Sequence, residues 1–363
     1  MKRISEYVSL GHPDKTADYV SEYLLDRYLE KDPNTRYAVE VQIKNQHVTL
    51  AGEITSRACF EKSELDYHVR KAIALIGYTH EYAERWNRQC LDASKVQVTS
   101  YISQQSPNIA IGVNNYGWGD QGIFFGYAEY GSDAMLPKDH QLARFIGESL
   151  MQRALETPVL GWGIDIKTQV VMPEDSDIPD TVIVAIPLME QSEADTVATY
   201  VKVLLGWTPE LGPSDFFGTE VIVNGTGAYQ MHSSVADCGT TGRKLAVDFY
   251  GGNCRIGGGS PWTKDGSKAD LTLNLYAREL AIKAAQKYQK TVTASLACCI
   301  GRKDVEVSIY DETGKSLEEY RQSVTPAELT ERYGLKRPIF ADLCRCGLFG
   351  CEREWDKHRY SND

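Results

Sequence analysis

No stretch of this chain is apolar for long enough to cross a membrane. One of its most continuous apolar runs, VIVAIPLM at 182–189, falls far short of the ~20 residues that a spanning helix needs. The opening MKRISEYVSL also lacks an apolar core of signal-peptide length, so a cytosolic protein with no membrane partner is expected. Positive charge is scarce too: 39 Lys and Arg against 50 Asp and Glu leave a formal net charge of −11. A general nucleic-acid binder needs a basic surface to neutralise phosphates, which argues against nucleic acid as a partner but leaves room for a local basic pocket around a small polyanion. Nine cysteines, an odd number in a 363-residue chain, do not suggest a disulfide scaffold. The cluster CRCGLFGC (Cys344, Cys346, Cys351), with His358 downstream, lacks the second CxxC-type knuckle of a structural zinc site, so reduced thiols are the better reading.

What is present is an ordinary soluble composition, 42% hydrophobic and 25% charged. The length is too great for one ordinary core and enough for two or three compact units. One pattern occurs three times: strand, turn, strand, helix. YAVEVQI (37–43) and HVTLAGEIT (47–55) precede helical spacing through Leu65, Val69, Ile73 and Ile76. TQVVM (168–172) and TVIVAIPLM (181–189) precede a helix through Val197, Val201 and Leu204. TVTASLACCI (291–300) and DVEVSIYD (304–311) precede a helix around Thr325–Tyr333. In each the apolar period switches from 2 to 3.6. Strand pairs followed by helices favour an α+β architecture of three related units over a parallel sheet.

Four segments carry candidate chemistry. In SLGHPDKTADYV (9–20), His12 can cap a helix with Pro13 at its first position. That helix buries Ala17, Val20, Leu24, Leu25, Tyr28 and Leu29, and KDPN ends it at Pro33. Asp14 suits the positive helix terminus whatever its function, but capping gives no reason for His12 beside Lys15. DCGTTGRKLAVDFYGG (237–252) offers Gly239 and Gly242 in a tight loop whose N–H groups, with Arg243 and Lys244, could face an anion. It is not a Walker A loop, since the glycines are too close and no Ser or Thr follows Lys244; a glycine-rich turn into a strand KLAVDFYG is the plainer alternative. GGNCRIGGGSPWTKDGSKAD (251–270) mixes Lys264 and Lys268 with Asp265 and Asp270, a combination suited to a metal–polyphosphate complex. In QQSPNIAIGVNNYGWGDQGIFFGYA (104–128), a glycine-rich stretch runs into Asp120 and Gln121 and then an apolar strand, as a loop closing over substrate would.

Taken together, GHPDK, GEIT, GDQG, FGYA, DCGTTGRK, DFYGG and GGGSPWTKDGSKAD, with GLFG and EW near the end, resemble the S-adenosylmethionine synthetase (methionine adenosyltransferase) family in order and approximate spacing. The resemblance runs from about Glu6 to Trp355. It implies an α+β fold of three similar strand-pair and helix units around a pseudo-threefold axis. In sequence the segments are 1–107, 108–231 and 232–363, with spatial domains interleaved. It also implies formation of S-adenosylmethionine from ATP, L-methionine and water by sulfur attack on the ribose C5′, with triphosphate leaving and then hydrolysed to phosphate and diphosphate. Two Mg2+ and one K+ per site, and a homo-oligomer with active sites at the dimer interface, belong to the same expectation.

Carried over residue by residue, the resemblance places His12 at the triphosphate near the breaking bond, and Asp14 and Asp270 at magnesium. Glu40 falls at the potassium site, turned away from the Val39 and Val41 face. Glu53, Gln105 and Asp120 fall at methionine; Asp165 and Lys167 at ATP, Lys167 near the phosphates; Tyr229 at adenine. Asp237 matches a contact to ribose and to methionine's amino group. Arg243, Lys244, Lys264 and Lys268 surround the nucleotide's polyphosphate, with Lys268 also near methionine, and Ser260 falls at ATP. Departures are Leu10 for the family's usual Glu, Asn108 for Asp, Ala228 for Arg within NGTGAY (224–229), Leu271 for Arg, and a shorter gate between QSP and GDQG. They admit two other readings: a catalytically weak homologue that binds nucleotide or S-adenosylmethionine for regulation, and a phosphotransferase that makes ADP.

Overall fold

The computed structural model describes residues 2–103, 117–132, 134–207, 218–351 and 353–357. Gln105, Asn108, His358 and most of the expected gate lie outside the described residues. Among the described residues three four-stranded sheets organise the fold. In one, β1 (Lys2–Val8), β6 (Lys167–Pro173), β7 (Thr181–Ala185) and β8 (Glu220–Val223) lie in that order. In the second the order is β12 (Ser316–Ser323), β11 (Asp304–Asp311), β10 (Val292–Cys298) and β5 (Gly122–Ala128). In the third it is β4 (Gln97–Ser103), β3 (His47–Thr55), β2 (Arg36–Lys44) and β9 (Gly239–Thr240). Each sheet is therefore built on one of the three strand pairs, with strands added from distant sequence. β1 joins β6 antiparallel, β5 joins β10, and β9 caps β2.

The helices follow the spacing of the apolar residues. α2 (Lys62–Ile76) buries Leu65, Val69, Ile73 and Ile76 after β3, and α5 (Glu193–Trp207) follows β7. The third unit departs from the expected order, because β12 intervenes between β11 and α9 (Pro326–Arg332). The sequence SLEEYRQS is almost wholly polar, so period-2 hydrophobicity is too weak to announce it. The segment KLAVDFYG is no strand either: it holds a single helical turn, α7 (Leu245–Asp248). The long helices α1 (Pro13–Lys31), α4 (Lys138–Glu156) and α8 (Ala269–Tyr288) supply much of the core, with Ala17, Val20, Leu24, Leu25 and Leu29 buried along α1. Among the described residues no helix is long and apolar enough to cross a membrane.

Candidate active site

The opening motif forms a capped helix start. His12 sits in extended backbone as N-cap, its Nδ1 accepts the Asp14 N–H at 3.1 Å, and Pro13 fills the first helical position. With Nδ1 accepting, Nε2 is the nitrogen that carries the proton. Gly11 allows this placement: a Cβ there would lie 2.2 Å from the Ile164 carbonyl oxygen, so only glycine lets the chain run against 164–167. Ser9 ties the same contact, its hydroxyl donating to the Ile164 carbonyl at 2.6 Å and accepting the Ile166 N–H at 3.0 Å. His12 is thereby set beside Asp165 and Lys167. Burial, and then the Lys244 and Lys167 ammonium groups, push its imidazole down to about 3, so it is a neutral donor at physiological pH.

Around it gathers a first group of residues. Asp14 accepts the Thr240 N–H at 2.8 Å and pairs with Lys244 Nζ at 2.5 Å. Burial works against its charge, yet these bonds hold the carboxyl below the usual range. Asp165 accepts the Ser233 N–H at 2.8 Å, and burial, helped by Asp237 and Asp14, pushes it up to about 7. Burial and then Asp165 raise the Tyr229 phenol, so that ring belongs to the same corner. Arg243 and Asp237 are exposed, Asp237 accepting the Cys238 N–H at 2.8 Å.

A second group gathers about the start of β2, on both of its edges. Lys264 bridges to Ala38, and its ammonium pairs with Asp270 in the first turn of α8, whose N-cap is Lys268. Glu53 lies opposite Ala38 in the β2–β3 ladder. Asp120 lies beside Cys298, whose Sγ contacts its carbonyl at 3.4 Å; burial, with Asp120 and Asp270, pushes that thiol up to about 12. Between the groups, Glu40 is exposed while Val39 and Val41 are buried, and its carboxylate accepts the hydroxyls of Thr241 and Thr263. Ser260 packs against Gly242 and accepts the Trp262 N–H at 3.2 Å. Since Lys264 pairs with Ala38 and Thr240 with Gln42, the backbones that carry the two groups meet β2 four residues apart, about 13 Å along the strand.

Two placements differ from what residue type alone suggested. Lys15 is buried: its ammonium binds Asp18 at 3.0 Å and Asp248 at 2.6 Å over the Trp262 ring, so it cannot reach a ligand. The N–H groups of Thr240 and Gly242 are already given to Asp14 and Asp18 and do not face an anion. Leu10 and Leu271 lie in the core, at 7% and 1% exposure. Sequence reasoning missed Asp18, Glu22 and Asp248; the signal was there, in acids repeating every fourth residue along α1, but burial of charge cannot be read from spacing.

Family models match the chain along most of its length. The N-terminal, central and C-terminal domain models of S-adenosylmethionine synthetase match residues 2–107, 115–229 and 231–357. The chain belongs to the S-adenosylmethionine synthetase family. It is 33% identical over 378 residues to an S-adenosylmethionine synthase of Acholeplasma laidlawii, covering 97% of this chain and 96% of that one. It is 32% identical over 382 residues to one of Akkermansia muciniphila, covering 97% and 94%. An S-adenosylmethionine synthetase structure from Campylobacter jejuni, described as unusual, superposes with a TM-score of 0.87 at 30% identity, covering 98% of this chain and 96% of that one. The three-sheet α+β fold is thus that of the synthetase family.

Among the described residues no group of three or more His, Cys, Asp or Glu side chains is placed to hold a metal. The donor chemistry nevertheless fits magnesium, which takes one or two protein carboxylates and completes its shell with phosphate oxygens and water. Asp14 and Asp270 each present one carboxylate, already drawing a single ammonium.

Proposed function

We propose that this chain makes S-adenosyl-L-methionine from ATP, L-methionine and water, releasing phosphate and diphosphate. One observation carries the reading: two Asp–Lys pairs, Asp14–Lys244 and Asp270–Lys264, each at the first turn of a helix whose N-cap is itself a candidate site residue. Methionine attacks through a neutral thioether sulfur, so no protein base is needed. Charge grows on the departing triphosphate, and catalysis lies in groups fixed where that charge develops. His12 donates from Nε2 to the phosphate oxygens as a neutral ring. Lys167, Arg243, Lys244, Lys264 and Lys268 supply positive charge along the chain of phosphates, with Ser260 beside them. Tyr229 packs on adenine, Asp165 and Asp237 orient the nucleoside, and Asp237 also takes methionine's ammonium. Glu53, Gln105 and Asp120 hold methionine.

Asp14 and Asp270 would hold two Mg2+, which when bound neutralise phosphate charge as Lewis acids. Glu40, with its two threonine hydroxyls, offers the hard oxygen surroundings that suit K+. The reading takes each site as completed across a homodimer, the His12 group of one chain working with the Asp270 group of another, since the two groups reach β2 on separate backbone segments. Incubation of the full chain with ATP, methionine, Mg2+ and K+, followed by mass spectrometry, tests the reaction. S-adenosylmethionine with phosphate and diphosphate is expected. ADP as product would make the protein a phosphotransferase, and stoichiometric ATP binding without cleavage would make it a binding homologue.

A further inference from the structure

α1 carries carboxylates at five successive fourth positions, of which the first four, Asp14, Asp18, Glu22 and Asp26, are buried and the last, Glu30, is exposed. Like charges at this spacing repel and weaken a helix, so a buried stripe of them needs compensation. Each finds it in backbone N–H groups of a segment distant in sequence. Asp14 accepts from Thr240 and Asp18 from Gly242, both at 2.8 Å. Glu22 accepts from Thr263 at 2.5 Å, and Asp26 from Phe340 and Ala341 at 2.8 and 2.9 Å. The middle two rungs therefore grip the residue before Arg243 and the residue before Lys264. Lys15, the one ammonium in the stripe, ties Asp18 to Asp248 at the far end of the first basic loop and lies against Trp262 in the second.

We propose that Asp18 and Glu22, joined to Asp248 through Lys15, are positioning residues that fix the backbones of both basic loops and so aim Arg243, Lys244 and Lys264 at the polyphosphate. This rests on the polyphosphate reading of those loops. None of the positioning residues needs to touch a ligand. Their rigidity comes from bonds to N–H groups that a flexible glycine-rich loop would otherwise leave to water; burial pushes both carboxyls up, Asp18 to about 7 and Glu22 well above the usual range, so these bonds do not depend on full negative charge.

The test pairs isosteric with apolar variants. Glu22→Gln keeps the acceptor oxygen for Thr263; Glu22→Leu and Asp18→Ala remove the acceptors, and Asp18→Asn keeps that for Gly242 but sets an NH2 against Lys15. The readouts are the Michaelis constants for ATP, for added inorganic tripolyphosphate and for methionine. The apolar variants should raise the first two by about tenfold or more and leave that for methionine within about twofold, while Glu22→Gln stays near the parent and Asp18→Asn, which loses the Lys15 pair, falls between. A purely structural role would lower thermal stability without this split, and equal shifts for all three substrates would overturn the proposal. Amide hydrogen exchange on the ligand-free parent protein decides the matter independently of turnover and of whether the apolar variants fold. Gly242 and Thr263 should exchange at least about a hundredfold slower than exposed loop amides; exchange at loop rates would overturn the proposal. A parent protein that forms no S-adenosylmethionine would refute the functional reading while leaving that exchange result to stand for the loops.

Discussion

α1 and α8 begin alike and end up in different surroundings. Each has an extended N-cap that is a candidate site residue, His12 or Lys268, and an aspartate at its second position, Asp14 or Asp270. Each aspartate pairs with a lysine from a glycine-rich loop, and each start is packed against a glycine of that loop. A Cβ on Gly239 would lie 2.2 Å from the Pro13 carbonyl oxygen, and one on Gly259 would lie 2.0 Å from Asp270 Oδ1. The difference is burial. The Asp14 side chain is 4% exposed and takes a backbone N–H as well as its lysine; that of Asp270 is 27% exposed and has the lysine alone. The same device is thus a structural keystone at α1 and a more open electrostatic pair at α8, and only the first should carry a large share of stability.

Substitution of the two aspartates breaks or confirms that contrast most strongly. Asp14→Ala and Asp270→Ala should each cut turnover by about a hundredfold or more. Asp14→Ala leaves the Thr240 N–H and Lys244 without their acceptor, so denaturant unfolding should also lose about 1–3 kcal/mol. Asp270→Ala should lose less than about 1 kcal/mol, as a partly exposed pair does. Equal stability losses would remove the distinction. Alanine at the two glycines comes next. At Gly239 the new methyl meets backbone in a buried strand, so both stability and activity should fall, by about 1–3 kcal/mol in unfolding. At Gly259 it meets a side-chain carboxylate that can turn aside, so activity should fall by about tenfold while the unfolding midpoint stays nearly fixed.

The smallest effect concerns His232, which underlies the Asp165 corner. It donates from Nδ1 to the Gln230 carbonyl at 2.6 Å, and Nε2 accepts from the Tyr82 hydroxyl at 2.9 Å. Burial pushes its imidazole down from 6.5 to about 4. With the folded value below the unfolded one, its contribution is whole above pH 6.5 and is lost as pH falls through 4. His232→Asn should cost about 1 kcal/mol at pH 7 and flatten part of the acid-side decline, measured by urea unfolding at pH 7 and 5. His140, also pushed down to about 4 by burial, should preserve the remainder of that decline.

Much of this could be read before the fold was known, because strong periodicity and cap chemistry are local. Val39 and Val41 alternating with Glu40, the Leu65–Ile76 spacing, and Pro13 after His12 all declare their geometry within a few residues. The polar strand β12 does not, and neither does α7, whose Leu245, Ala246 and Val247 suit a strand as well as a turn of helix. The site was legible as a collection of loops and not as two groups, since the separation along β2 depends on which backbone segments pair at its edge. Lys15 was least legible of all. In sequence it stands with the cations of the GHPDK motif; only packing shows it enclosed by Asp18, Asp248 and Trp262.

The claim that the two groups meet across a chain boundary has a direct test. Chains carrying Asp14→Ala and chains carrying Asp270→Ala, each inactive alone, are co-expressed with different tags and the mixed dimer is isolated. If each site takes the His12 group from one chain and the Asp270 group from the other, one of the two sites in the mixed dimer is intact, and synthesis of S-adenosylmethionine returns to about half the parent rate. If each site lies within one chain, every site keeps a lesion, and a mixed dimer as inactive as its parents would contradict the account.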